Sequence, residues 1–147
     1  MNTLKEPAVD MREKPRIILS AEDYERLSAL ARAASGRMPT LAAGLADELG
    51  RADVMLEGAQ PQHIVRMNSQ VEFRDETTGK INKVRLVYPV EADIAARKIS
   101  VLTPVGTALI GVRAGDSISW DTPGGERRKL TVLSVEDLSM RKTQDES

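Results

Sequence analysis

The first half of the chain has the apolar pattern of two short amphipathic helices. After the apolar residues 17–19, Ser20 is a suitable N-cap, and the two acidic residues at 22 and 23 suit the positive end of a helix dipole. The first helix is predicted to begin at about residue 21, with its apolar stripe at Tyr24, Leu27, Ala31 and Ala34, and to stop at Gly36. A second helix is predicted to begin at Pro39 or Thr40, with its stripe at Leu41, Leu45, Leu49, Ala52 and Leu56. The short turn between them predicts an antiparallel helical hairpin.

From about residue 63 the pattern changes to short β-rich segments with alternating apolar residues. Strands are predicted at 70–74, 81–88, 98–102, 117–120 and 129–135, and the segment 104–111 is predicted to be a loop or a single helical turn. Thr78-Gly79 and Pro123-Gly124-Gly125 are typical of β-hairpin turns. The chain is therefore predicted to be α+β, with a short antiparallel helical hairpin followed by an antiparallel β domain. The expected divisions are a flexible arm at 1–15, the hairpin at 16–62, the β domain at 63–138 and a flexible tail at 139–147.

Composition and charge exclude several classes of function. The 147 residues include 41% apolar residues, which is enough for one packed core, and the formal net charge is −1. Such a balance lacks the positive field that non-specific nucleic-acid or membrane binding requires, so we expect neither kind of partner. There is no cysteine and a single histidine, His63, which excludes disulfide scaffolds, thiol nucleophiles and multi-histidine metal sites within one chain. We expect a cytoplasmic monomer that holds no metal or cofactor.

Several motifs of the second half occur in a recognisable order. They are 67–71 (Met-Asn-Ser-Gln-Val), 87–93 (Val-Tyr-Pro-Val-Glu-Ala-Asp), 99–111 (Ile-Ser-Val-Leu-Thr-Pro-Val-Gly-Thr-Ala-Leu-Ile-Gly) and 114–118 (Ala-Gly-Asp-Ser-Ile). In order and spacing they resemble the C-terminal domain of the GreA/GreB elongation factors, and most closely the Rnk branch of nucleoside diphosphate kinase regulators. The resemblance implies a helical hairpin attached to an FKBP-like sheet. It also implies docking on bacterial RNA polymerase at the mouth of the secondary channel.

The resemblance assigns a docking loop within 102–106. In the family this loop holds an apolar or acidic residue, then Ser or Thr, then Pro, and these positions correspond to Leu102, Thr103 and Pro104, followed by Val105 and Gly106. Considered without the resemblance, Thr103-Pro104 is better explained as a turn that leads the chain out of a strand. Proline fixes the backbone and needs no hydrogen bond, which suits a preordered contact.

The hairpin tip departs from the family pattern. Transcript cleavage in the family depends on a pair of acids at the tip of a long hairpin, which helps hold a metal ion. Here the tip contains Arg37, Met38 and Pro39 and no carboxylate, and a helix of about 14 residues is only about 21 Å long. Asp47 and Glu48 lie further along and are expected on a solvated face. We therefore predict no catalytic residue, and a regulator that competes with Gre-type factors.

Three other functions fit the residues less well. An adaptor that regulates nucleoside diphosphate kinase is the alternative that the Rnk resemblance implies, although Gly106, Gly111 and Gly115 form no phosphate loop and are better explained as turn glycines. A transcript-cleavage factor is disfavoured by the tip. A prolyl isomerase needs an aromatic-lined pocket, whereas the few aromatic residues of this domain, Phe73, Tyr88 and Trp120, are placed to serve as core. His63 and the basic cluster 127–129 are expected at the surface.

Overall fold

The predicted helical hairpin is present in the computed structural model, which describes residues 17–55, 63–122 and 124–137. Helix α1 (Ala21–Ala34) begins at the predicted cap, where the Ser20 hydroxyl accepts a hydrogen bond from the Asp23 N–H at 3.1 Å. Helix α2 (Pro39–Gly50) begins at its proline and ends six residues before Leu56, the last position of its predicted apolar stripe. Its buried residues are Ala42, Leu45 and Leu49, whereas Leu41 is half-buried, Ala52 follows the helix end and Leu56 lies outside the described residues.

The residues that flank the hairpin form a parallel pair that the sequence did not predict. Strand β1 (Ile18–Leu19) pairs with β2 (Asp53–Val54), so the entry to α1 and the exit from α2 lie side by side. The Ile18 N–H also donates to the Gly111 carbonyl at 3.0 Å. This backbone hydrogen bond joins the base of the hairpin to the second half of the chain.

The second half contains a five-stranded sheet in the order β5-β4-β3-β7-β6. The strands are β3 (Ser69–Asp75), β4 (Ile81–Val87), β5 (Lys98–Ser100), β6 (Ser117–Asp121) and β7 (Arg127–Asp137). The sheet is antiparallel as predicted, except that β5 runs parallel to β4. The connection 88–97 contains two 3₁₀ turns, Pro89–Glu91 and Ile94–Ala96, and it carries the chain back along the sheet edge before β5 begins. This return, in place of a tight hairpin, makes the pair parallel.

The glycines of both predicted hairpin turns lie between paired strands, although Pro123 of the second turn is outside the described residues. Gly79 and Gly125 have φ values of +77° and +88°, a region that glycine adopts without steric cost. They join β3 to β4 and β6 to β7. Between β5 and β6 the chain forms α3 (Pro104–Leu109), which corresponds to the predicted helical turn.

The hairpin and the sheet share one apolar core. Buried side chains from both halves belong to a single cluster, including Leu27 and Leu45 of the hairpin and Leu86 and Leu130 of the sheet, all 0% exposed. Phe73 is buried within this cluster, and Tyr88 and Trp120 are partly buried against it, in agreement with their predicted core role. Neither α1, α2 nor α3 is long and apolar enough to cross a membrane, and no such helix occurs elsewhere in the described part of the chain.

Candidate functional site

The predicted docking loop leaves β5 through a tight, hydrogen-bonded turn. The Ser100 hydroxyl accepts from the Leu102 N–H at 3.0 Å, and the Ser100 carbonyl accepts from the Thr103 N–H at 3.0 Å. The Thr103 hydroxyl donates to the same carbonyl at 2.7 Å. Ser100 is itself buried, so these bonds are sheltered from water and fix the backbone before α3 begins.

Thr103 then acts as the N-cap of α3. Its hydroxyl accepts from the Gly106 N–H at 3.0 Å, while Pro104 occupies the first helical position, where no N–H is needed. The Thr107 hydroxyl donates to the Val101 carbonyl at 2.6 Å and ties the helix back to the strand end. A six-residue helix is marginal by itself, so these contacts hold it in place.

Gly106 lies inside α3, where a turn glycine was expected, and its role is to allow a close approach. A Cβ atom at this position would lie 2.2 Å from the Ser100 carbonyl oxygen, which is far inside van der Waals contact. By contrast, Gly111 and Gly115 do adopt positive φ values, of +78° and +97°. The sequence around position 106 therefore requires glycine for steric reasons and not for backbone freedom.

The structure separates the five predicted docking residues into two groups. Leu102 and Gly106 are buried and support the turn from beneath. Thr103, Pro104 and Val105 are partly exposed and form the accessible face. Only these three could contact a partner without unfolding of the loop, and a partner contact there stays a prediction.

The hairpin tip lies at the opposite end of α1 and α2 from the β1–β2 pair. Arg37 and Pro39 are exposed, and Met38 is 39% exposed. The two acids considered above, Asp47 and Glu48, lie near the C-terminal end of α2, and Glu48 pairs with Arg51 at 2.5 Å. In residues 17–55, 63–122 and 124–137 no group of three or more histidine or acidic residues could hold a metal ion.

The remaining sequence candidates have structural contacts. Arg128 of the basic cluster pairs with Asp75 at 2.5 Å and joins β7 to β3. His63 is exposed, has a φ of +61°, and accepts a hydrogen bond from the Ala114 N–H through its carbonyl at 2.8 Å. Neither residue contributes to the docking loop.

Sequence reasoning missed a buried carboxyl group at the junction between hairpin and sheet. Asp23 is 6% exposed, its Oδ2 accepts from the Met67 N–H at 3.3 Å, and it lies 3.7 Å from Arg66 Nε. Burial raises the pKa of Asp23 above its ordinary value, although the Met67 N–H and the Arg66 guanidinium oppose this rise. The available signal was spacing, because Asp23 precedes Leu27 and Ala31 at intervals of four and so lies on the buried stripe.

The same junction includes the hydroxyl of Tyr88. Burial raises the pKa of Tyr88, and the nearby Asp23 carboxylate raises it further, whereas Arg26 lowers it. Tyr88 follows the strand β4 and precedes Pro89, so this polar cluster lies where the hairpin contacts the start of the 88–97 connection. The cluster positions the two halves of the chain relative to each other.

Comparisons with known proteins match both halves of the chain. A family model described as "Transcription elongation factor, GreA/GreB, C-term" matches residues 60–137, and one described as "Rnk N-terminus" matches residues 15–55. The chain is 38% identical over 123 residues to the regulator of nucleoside diphosphate kinase of Escherichia coli K12, covering 84% of this chain and 90% of that protein. It is 34% identical over 119 residues to the transcription inhibitor protein Gfh1 of Thermus thermophilus, covering 79% and 74%. A solved GreA/GreB elongation factor from Nitrosomonas europaea superposes with a TM-score of 0.65 at 38% identity, covering 82% of this chain and 98% of that one.

Proposed function

The chain belongs to the GreA/GreB family and to its Rnk branch, and from that premise we propose that it is a non-catalytic regulator that binds bacterial RNA polymerase. It acts at the secondary channel and competes there with Gre-type factors. One relative is named a transcription inhibitor and another a regulator of an enzyme, and both names support a regulatory role for this chain and not a catalytic one. The single observation that carries the proposal is a preordered, partly exposed docking loop combined with a hairpin tip that has no acids.

Preordering of the loop favours binding through it. The hydroxyl of Thr103 is already engaged with both Ser100 and Gly106, so little conformational entropy remains to be lost when a partner binds. The exposed part of the loop comes from Thr103, Pro104 and Val105, whose side chains contain one polar group, the Thr103 hydroxyl that is already hydrogen-bonded. These groups can be desolvated at low cost because none of them leaves a polar atom unpaired.

The hairpin tip argues against transcript cleavage. Cleavage requires carboxylate oxygens delivered to a metal ion, and Arg37 and Met38 provide none. A cation at position 37 also repels a divalent metal. The same short hairpin, 14 residues in α1 and 12 in α2, can still occupy the channel entrance and obstruct another factor.

Binding of labelled protein to core RNA polymerase, followed by fluorescence anisotropy, tests the proposal. The variant Thr103→Ser/Pro104→Ala removes the Thr103 methyl and the Pro104 ring but keeps the hydroxyl that caps α3. We expect it to bind about tenfold more weakly, as is usual for loss of a central interface contact. Thr103→Ala is unsuitable because it also removes the cap.

Ile81→Ser is the matched control. Ile81 is 53% exposed and begins β4, whereas the docking loop follows β5 beside the far end of β4 at Val87. This control should bind like the unaltered chain. Absence of binding at micromolar concentrations would refute the proposal, and equal affinity of Thr103→Ser/Pro104→Ala would place the interface elsewhere.

A second candidate function is an adaptor that regulates nucleoside diphosphate kinase. It is favoured by the name of the Escherichia coli relative, which is 38% identical over most of this chain. The test is to measure kinase turnover with and without the purified chain in the absence of polymerase. A change in turnover would favour the adaptor, and no change would leave polymerase as the target.

A further inference from the structure

The most exposed apolar side chains of the described residues lie in the connection between β4 and β5. Val90 is 92% exposed and Ile94 is 86% exposed, compared with 53% or less for the other exposed large apolar residues. Residues 90–97, which we name the apolar loop, are eight consecutive exposed positions, of which five are apolar: Val90, Ala92, Ile94, Ala95 and Ala96. The other three positions are the charged residues Glu91, Asp93 and Arg97. Single exposed apolar residues are ordinary, but two almost fully exposed large ones within five residues suit an interaction surface.

The apolar loop is held in a defined conformation. Two 3₁₀ turns shape it, and the Asp93 side chain caps the second by accepting from the Ala96 N–H at 3.4 Å. Arg97 ends that turn in the left-handed region, with a φ of +61°. Val90 and Ile94 are therefore presented to solvent by an ordered backbone, so a partner would not need to order the loop on binding.

The backbone of this edge is already occupied. Asp93 and Lys98 exchange both of their backbone hydrogen bonds, each at 2.9 Å. At the other end of β5, the Ser100 carbonyl accepts from Thr103. A strand added to β5 would find the Lys98 N–H, the Lys98 carbonyl and the Ser100 carbonyl already engaged, so this edge favours contact through side chains.

The apolar loop is continuous with the docking loop. Strand β5 is only three residues long, and it joins the apolar loop at Lys98 to the turn that begins after Ser100. The Val101 N–H also donates to the Val87 carbonyl at 2.9 Å, so the docking turn begins beside the point where the chain enters the connection that carries the apolar loop. The docking loop exposes three partly buried residues, which is a small area for a specific interface of usual size.

From this geometry we propose that the apolar loop is the second half of the polymerase-docking surface, with Val90 and Ile94 inserting into an apolar patch on the same polymerase element that receives the docking loop. This inference rests on the proposed function. It adds two anchors, Val90 and Ile94, whose replacement should weaken binding more than replacement of the docking-loop residues, because each is at least 86% exposed and so has more apolar surface to bury.

The test compares Val90→Ser/Ile94→Ser with the unaltered chain in the polymerase-binding assay. Both side chains are exposed and the loop is held by backbone bonds and Asp93, so the fold should be retained, which circular dichroism checks. We expect at least about tenfold weaker binding, with Ile81→Ser unchanged as the matched exposed-apolar control.

The outcomes distinguish the two proposals. If the chain binds polymerase, Thr103→Ser/Pro104→Ala binds more weakly, and Val90→Ser/Ile94→Ser binds like the unaltered chain, the apolar loop is not part of the interface and the proposed function stands. If the unaltered chain does not bind at all, both proposals fail. If sedimentation shows self-association that Val90→Ser/Ile94→Ser abolishes while polymerase affinity is unchanged, the surface joins two copies of this chain and the inference is overturned.

Discussion

Replacement of Gly111 by alanine should reveal how tightly the hairpin base is joined to the β domain. The Gly111 carbonyl accepts from the Ile18 N–H at 3.0 Å, and the Gly111 N–H donates to the Val65 carbonyl at 2.9 Å. Gly111 therefore links β1, at the hairpin base, to the segment of the β domain that contains Val65. Its φ is +78°, and a Cβ atom there would lie 2.6 Å from the Cβ of Ile17. An alanine would therefore meet two penalties, one from its backbone conformation and one from the overlap.

The exposed turn residue Gly79 separates these two penalties. Its φ is +77°, and nothing lies within 4 Å of a Cβ built on it. Gly79→Ala should lose about 1–2 kcal/mol of unfolding free energy, the cost of a left-handed conformation. Gly111→Ala should lose that amount and about 1–3 kcal/mol more, the cost of overpacking a buried contact.

Urea unfolding monitored by fluorescence of Trp120, the single tryptophan, measures both variants. The unfolding free energy of Gly111→Ala should fall below that of Gly79→Ala by about 1–3 kcal/mol, with the same dependence on urea. Equal losses in the two variants would show that Ile17 and β1 move aside at little cost. That result would refute the reasoning that this glycine fixes a close approach.

Three further predictions concern other residues. Burial raises the pKa of Asp23, so the folded chain binds this proton more tightly than the unfolded chain does. The free energy of unfolding should therefore fall as the pH rises from 3.8, the ordinary pKa of this group, through the raised pKa. Asp23→Asn should lack this pH dependence in urea unfolding, and the same dependence in both proteins would contradict burial of Asp23 as its cause. Gly106→Ala should destabilise the chain by about 3 kcal/mol because the new Cβ would overlap the Ser100 carbonyl. Gly44→Ala in α2, where nothing lies within 4 Å of a Cβ, should instead stabilise it by about 0.5–1 kcal/mol. Similar effects of the two variants in thermal unfolding would rule out the overlap. In a backtracked elongation complex the chain should not stimulate RNA 3′-end shortening and should inhibit shortening by a Gre factor; stimulation would contradict the non-catalytic assignment and make Asp47 the first residue to replace.

Local chemistry accounts for the elements that the sequence predicted well. A helix with a capping serine and an apolar residue at every third or fourth position is determined by contacts within a few residues, so α1 was placed correctly from Ser20 to Ala34. The hairpin turns at Gly79 and Gly125 depend on the φ values of single residues, and their positions were also correct. The family motifs are also short and continuous in sequence, but the docking role that they imply for residues 102–106 stays a prediction.

Long-range contacts decided the features that the sequence missed. Strands β1 and β2 have two residues each, and the whole helical hairpin separates them in the chain, so no periodic pattern indicates their pairing. The parallel pairing of β4 and β5 depends on the path of the connection 88–97, and a strand pattern is the same whether its neighbour runs parallel or antiparallel. Neither could be obtained from local spacing.

What the sequence determined by itself is the order of the two hairpin helices and the five strands of the large sheet, the family, and the absence of acids at positions 37–39. Only the tertiary structure decided which side chains of the docking loop face outward, why Gly106 must be glycine and that Asp23 is buried against Met67. The physical reason is that exposure and desolvation depend on atoms distant in sequence, since Met67 lies 44 residues from Asp23.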